Sequence, residues 1–172
     1  MGDLILTDEE IEWLLSEPKR VTTPAARWKE QRGSRQRNFS VESEDGANQF
    51  SLFLRQNQRL KNGFSCGLLY HHPDGEKITL SRYNGSDHSH YNPLDGSRFD
   101  FSCHIHRATE RYMVAGRKAE HFALSTHRYV DLDGAVSAII ADCNISGLKL
   151  CSSANEDDNK PVDDKQMSLG LE

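Results

Sequence analysis

Histidine is the side chain whose proton comes and goes nearest neutral pH, and its imidazole is also a common ligand for transition metals. Four of the eight histidines in this chain stand in two His-x-His pairs, His88/His90 and His104/His106, within residues 81–107 (SRYNGSDHSHYNPLDGSRFDFSCHIHR). Arg82, Arg98 and Arg107 flank them. Three readings fit such a set. Imidazoles alternating along a strand can hold zinc, nickel or copper, with Asp87, Asp95, Asp100 or Cys103 completing the shell, although no spacing here matches a recognised zinc signature. The same rings can work as acid and base on RNA. One takes the 2′-hydroxyl proton, another protonates the leaving oxygen, and arginines stabilise the charge on phosphorus. The third reading is a polar, histidine-rich rim or a protein interface. Acid–base chemistry is the reading favoured here, with His88, His90, His104, His106, Arg82 and Arg107 as the catalytic set and with no metal or other cofactor.

The elements that must position these groups follow from periodicity. Thr7-Asp-Glu-Glu10 has the form of a capping box, and Ile11, Leu14 and Leu15 follow at helical spacing before Pro18, predicting a helix over 8–17. A second helix is expected over 22–33, starting near Pro24 and closing at Gly33. From Asn38 the period shortens. Phe39 and Val41, then Phe50, Leu52 and Leu54, then 64–71 and 76–83 around Pro73-Asp-Gly75, predict a four-strand antiparallel meander. A fifth strand over 98–106 turns Cys103 and Ile105 to the core, so His104 and His106 share the other face. The loop between Tyr83 and Arg98 can fold His88 and His90 back towards them. Helices over 108–115 and 133–144 and an edge strand over 147–151 complete a single α+β domain spanning 1–151. Its curved antiparallel sheet of about five strands carries N- and C-terminal helices, with 1–37 as a helical N-terminal extension. Trp13 and Trp28 read as the anchors that dock those first helices. Tyr83, Tyr91, Tyr112 and Phe101 read as packing residues rather than as platforms for bases.

Charge is unevenly spread. The net charge is −5, but residues from Ser152 onward hold six acidic groups against Lys160 and Lys165, so the body is nearly neutral. Within the body, Lys19, Arg20, Arg27, Lys29, Arg32, Arg35 and Arg37 form a basic segment over 19–37 against Glu30 alone, with the footprint of a nucleic-acid contact, and Arg27, Lys29, Arg32, Arg35 and Arg37 are its candidate contact residues. The tail over 152–172 is polar and poor in apolar residues, and is expected to be disordered. The four cysteines match neither a disulfide framework nor a zinc knuckle, which points to free thiols in a reducing compartment. No apolar run is long enough to span a membrane, and MGDLILTDEE lacks the apolar region of a signal peptide, so the expected location is the cytoplasm.

Two resemblances bear on function. Tyr70-His-His-Pro-Asp-Gly75, Arg82-Tyr83-Asn84-Gly85, His88-Ser-His90 and Cys103-His-Ile-His106 resemble, in that order, the core of TumE-type toxins of RelE-like fold. In those proteins a strand ends in Arg-Tyr-Asp-Asn ahead of clustered histidines. The likeness covers residues 70–107 and implies a toxin-like endoribonuclease, with RNA as substrate and a cognate antitoxin as partner. The longer stretch Phe39–Ile145, with His104-Ile-His-Arg-Ala-Thr-Glu-Arg-Tyr112 and Asp131-Leu-Asp-Gly134, resembles an uncharacterised family of small bacterial and prophage proteins, which implies no activity. The two N-terminal helices and the acidic tail depart from the toxin pattern. Gln166-Met-Ser-Leu169-Gly-Leu171 also resembles the short peptides by which replication proteins bind the sliding clamp. The rival expectation is a non-enzymatic protein-binding module, such as a phage-encoded inhibitor of a host or defence protein.

Overall fold

Alternating apolar and polar residues build the main sheet in the computed structural model, which describes residues 2–148. Strand β3 (Ser34–Ser43) buries Phe39 and Val41, β4 (Gln49–Asn57) buries Phe50, Leu52 and Leu54, and β5 (Phe64–His71) buries Phe64, Cys66, Leu68 and Tyr70. A two-residue period puts each of these sets on one face. Against that face lie α1 (Asp8–Ser16), through Ile11, Leu14 and Leu15, and α3 (Leu132–Asp142), through Ala135, Val136 and Ile139. Burying each large aliphatic or phenyl side chain contributes about 1.5–3 kcal/mol. The Thr7 capping box forms as expected: the Thr7 hydroxyl accepts from the Glu10 amide, and Glu10 accepts from the Thr7 amide.

The sheet is wider than the sequence pattern suggests. Its order is β10 (Ala123–Ser125), β9 (His104–Arg107), β6 (Lys77–Asn84), β5, β4, β3, β1 (Lys19–Val21) and β11 (Ile145–Ser146), with β2 (Lys29–Gln31) also paired to β3, so among the described residues it has nine strands rather than five and is not strongly curled. The strands beyond the expected five are β1, β2, β10 and β11, the last lying parallel to β1. The helix expected over 22–33 does not form. Thr22 and Thr23 are β-branched, and Pro24 disfavours helical geometry in the residue before it. Gly33 is no helix cap. With Arg32 it makes a two-residue turn, both at positive φ (48° and 76°), joining β2 to β3 in the geometry that matches strand twist. Trp13 is 55% exposed and therefore anchors nothing, while Trp28 is half-buried beneath Arg35.

The expected strand over 98–106 is broken. β8 (Ser97–Phe99) pairs with β7 (His90–Asn92) as a separate hairpin, the chain turns at Phe101 (φ 48°), and β9 (His104–Arg107) then joins the main sheet. The short helix α2 (Glu110–Val114) follows, capped by Thr109. Most of the edge strand expected over 147–151 lies outside the described residues, as do the acidic tail and its clamp-like peptide.

One irregularity decides what the far face carries. Strand β6 (Lys77–Asn84) pairs with β5 at Leu69↔Thr79 and then at Leu68↔Ser81, leaving Leu80 as an extra residue. Such a bulge resets the alternation. Ile78 and Tyr83 consequently both face the core, while Arg82 and Asn84 turn to the opposite face.

Candidate functional site

The face turned away from the helices gathers the polar side chains. Pairing sets Arg82 opposite His106 and Asn84 opposite His104 across β6 and β9, while Arg55 of β4 stands opposite Gln36 on one side and Ser65 on the other. The β7–β8 hairpin roofs the β9 end of this face. Asn92 fastens it there, donating from Nδ2 to the Ala123 carbonyl at 2.8 Å and accepting from the Ala123 amide at 3.0 Å. The hairpin brings His90 over the strand histidines: its ring centroid lies 4.8 Å from that of His106 and 5.6 Å from that of His104, which are themselves 5.0 Å apart. His88 joins from the preceding loop, 4.9 Å from His104, and Phe99 closes the side at 5.1 Å from His104. All four expected histidines and Arg82 therefore meet in one place.

Each of the three inner rings has one nitrogen tied to an acceptor. His104 Nδ1 donates to the Ser102 carbonyl and His106 Nδ1 to the Glu120 carbonyl, both at 2.8 Å. His90 Nε2 donates to Asn92 Oδ1 at 2.8 Å. Fixing one N–H fixes the tautomer and leaves the other nitrogen as a bare lone pair. That of His104, Nε2, receives only a 3.3 Å contact from Asn84 Nδ2. That of His106, Nε2, is buried and has no partner. Arg82 Nε and Asn84 Oδ1 are likewise buried without partners. Among the described residues, these are the buried side-chain polar atoms left unsatisfied, and all three belong to this one face.

Burial sets the charge state. It pulls the His104 pKa down to about 4 and that of His106 to about 3, with Arg82 adding repulsion at His106. His90 is lowered as well, mainly by burial. The three inner rings are thus neutral near pH 7. His88 is 48% exposed, and its Nδ1 lies 2.6 Å from Asp87 Oδ1, which orients the ring.

Beside the cluster opens a polar cavity of about 360 Å³, lined among others by Arg55, Arg82, Asn84, Asp87 and His88. A smaller cavity of about 200 Å³ adjoins it through Ser34 and Arg55 and reaches Arg32 and Gln36. Glu120 stands 3.7 Å from Arg82 Nη1 and balances part of its charge.

Other expected residues lie elsewhere. Arg107 has the opposite strand parity to His104 and His106, so it points to the helix side and pairs with Glu12 of α1. Arg98 is an exposed partner of Asp100 on the hairpin. The basic segment does not form a single patch. Arg37 donates to the Ala26 carbonyl at 2.5 Å and lies over Phe39, Arg35 lies over Trp28, Arg27 and Lys29 are exposed on or before β2, and only Arg32 borders the cavities just described. Sequence reasoning missed Arg55, Asn84, Asn92 and Glu120. Arg55 was accessible to it, since it follows the core residue Leu54 and must face away from it. The others depend on the bulge in β6 and on where the hairpin docks.

Among the described residues, no helix is long and apolar enough to cross a membrane. No curated protein and no solved structure matches the chain significantly. The model of the Family of unknown function (DUF6978) matches residues 6–145, and the chain belongs to that family.

Proposed function

We propose that the polar sheet face is an RNA-cleaving site of the toxin-like endoribonuclease class. The observation that carries this reading is a pair of cavities that share Ser34 and Arg55 in their walls and bring Arg32, Arg55 and Arg82 beside the histidine cluster. A trough of that size, polar and cationic, suits a phosphodiester backbone, since guanidinium groups bind phosphate oxygens through paired donors. Arg55 and Arg82 hold the scissile phosphate. His88, half-exposed and oriented by Asp87, is the histidine placed to exchange protons with substrate and solvent. His104 and His106, kept neutral near pH 7 by burial and with their N–H groups already given to the Ser102 and Glu120 carbonyls, do not serve as the general acid.

A binding-module reading is favoured by a separate observation. Phe101 and Val130 are 68% and 82% exposed, as anchors for a protein partner would be before docking. The partner in either case is a protein, an antitoxin in the first and a target in the second.

The test is cleavage of a short labelled RNA by the purified chain, with Arg55→Gln and Arg82→Gln alongside. Loss of one charge-stabilising donor lowers the rate about 10²–10³-fold. Absence of cleavage, together with no growth inhibition when the chain is expressed alone, overturns the nuclease in favour of the binding module.

A further inference from the structure

We propose that His90, His104 and His106 form a three-imidazole site for a transition-metal dication of the zinc, cobalt or nickel class, with a further coordination position turned to the arginine-lined cavity. One ring nitrogen from each of the three lies within 4.8 Å of those of the other two. Three nitrogens bound to one ion at ~2.1 Å sit about 3.4 Å apart, so the rings need to close in by small side-chain rotations. His90 has the freedom to do so, since it lies on the hairpin and is only partly buried.

The surroundings are those a metal-bound imidazole requires. A ligating histidine gives its lone pair to the ion and donates its other N–H to a carbonyl or amide oxygen, which holds the ring in place. Ser102, Glu120 and Asn92 supply those three acceptors, each at 2.8 Å. The unpartnered Nε2 of His106, on a residue only 3% exposed, would gain the bond it lacks. An all-nitrogen donor set selects this class of ion over magnesium or calcium, which take oxygen ligands. Three protein ligands and an open position are the pattern of catalytic rather than structural zinc sites.

Arg82 gives the site its direction. A guanidinium beside a dication is repelled, and Glu120 offsets only part of that. An anionic oxygen bound to the ion would satisfy both cations, and Arg82 Nε is buried with its donor unused. The ligand class of the completed site is therefore an anion, a phosphate oxygen under the reading above. The metal site itself stands on the histidine geometry and does not depend on RNA being the substrate.

The experiment uses the full chain, stripped by chelator, dialysed and titrated with Co²⁺. Visible absorption reports the coordination and X-ray absorption at the cobalt edge counts the imidazoles. The expected result is one ion per chain with three imidazole ligands. Asn92→Ala, which removes the acceptor of the His90 N–H together with the hairpin's two bonds to Ala123, weakens affinity about 10–100-fold. His104→Gln and His106→Gln weaken it at least as much, while His72→Gln, on the distant Pro73 turn, leaves it unchanged. Absence of binding at millimolar Co²⁺, or an ion held by fewer than three imidazoles, overturns the site. The wild-type absorption edge decides the matter even if a histidine variant fails to fold. RNA cleavage is scored separately, so a chain that binds the ion and cuts no RNA rejects the nuclease and keeps the metal.

Discussion

Two polar groups are buried in this molecule in opposite ways. Lys19, only 1% exposed, sends its ammonium into a nest of three main-chain carbonyls, those of Leu15, Glu17 and Cys143, at 2.8 to 3.0 Å. Every N–H it owns is used. Burial draws its pKa down to about 8, yet the group stays charged at pH 7, held between the end of α1 and the end of α3. The histidine face is buried nearly as deeply and leaves three polar atoms idle. A fully used buried charge is an element of structure. Idle buried donors and acceptors cost stability, about 1–3 kcal/mol each, and such a cost is expected where a ligand completes the arrangement.

The largest expected effect lies at the satisfied site. Lys19→Met keeps the length of the stem and strands three buried carbonyls, so unfolding in urea should show a loss of about 3 kcal/mol or more. His106→Leu is the matched case on the other face. It removes one satisfied N–H, the bond to Glu120, together with one orphan nitrogen, and the two changes oppose each other. The expected loss of stability in metal-free protein is below about 1 kcal/mol, with metal binding abolished. If His106→Leu destabilises as strongly as Lys19→Met, the cluster is a structural core feature, and the contrast between the two regions collapses.

The same contrast explains what the sequence could and could not show. Lys19 reads as the first member of a basic segment, because nothing in Pro18-Lys-Arg-Val21 says that β1 will run between β3 and β11 with three carbonyls overhead. The histidine face was far more legible. His-x-His on a strand forces both rings to one side, and the loop length let His88 and His90 return to them. Arg82 stands opposite His106 only because of the Leu80 bulge, which is a tertiary adjustment invisible to a two-residue count. The β-meander over 38–83 was legible for the same reason as the first helix: strong local periods and strong turn or capping signals. Where the local signal was weak, as over 22–33, long-range pairing decided. The nearly neutral body and its basic segment suggested a surface for nucleic acid, yet of that segment only Arg32 reaches the cavities, where it is joined by Arg55 of β4 and Arg82 of β6.

A smaller effect is expected from an ion pair that belongs to neither class. Asp142 at the end of α3 accepts two bonds from Arg128 at 2.8 Å and one from the Tyr83 hydroxyl. Arg128 above all, and Tyr83 after it, hold its carboxyl below the ordinary 3.8. A carboxylate with a depressed folded pKa adds stability that is present above its unfolded value and lost as pH falls through the folded one. Asp142→Asn should therefore flatten the acid limb of a stability–pH curve below about pH 4 and leave the curve near pH 7 lower by less than about 1 kcal/mol, because both partners are partly solvated. An unchanged acid limb would show that the pair is not formed in solution.

The smallest effect separates Arg82 from Arg107, which the sequence grouped together. Arg107 is half-exposed and pairs with Glu12 on the helix side of the sheet, one residue out of phase with His106. Surface pairs of this kind contribute about 0.2–1 kcal/mol. Arg107→Gln should accordingly cost a few tenths of a kcal/mol in urea unfolding and leave both RNA cleavage and Co²⁺ binding at wild-type levels. Arg82→Gln should leave the fold equally intact and impair anion binding at the cobalt site, read as a weaker response of the visible spectrum to added inorganic phosphate. If Arg107→Gln also weakened that response, the active face would have to include the α1 side of the sheet. Strand parity would then have failed as the rule that sorts these arginines.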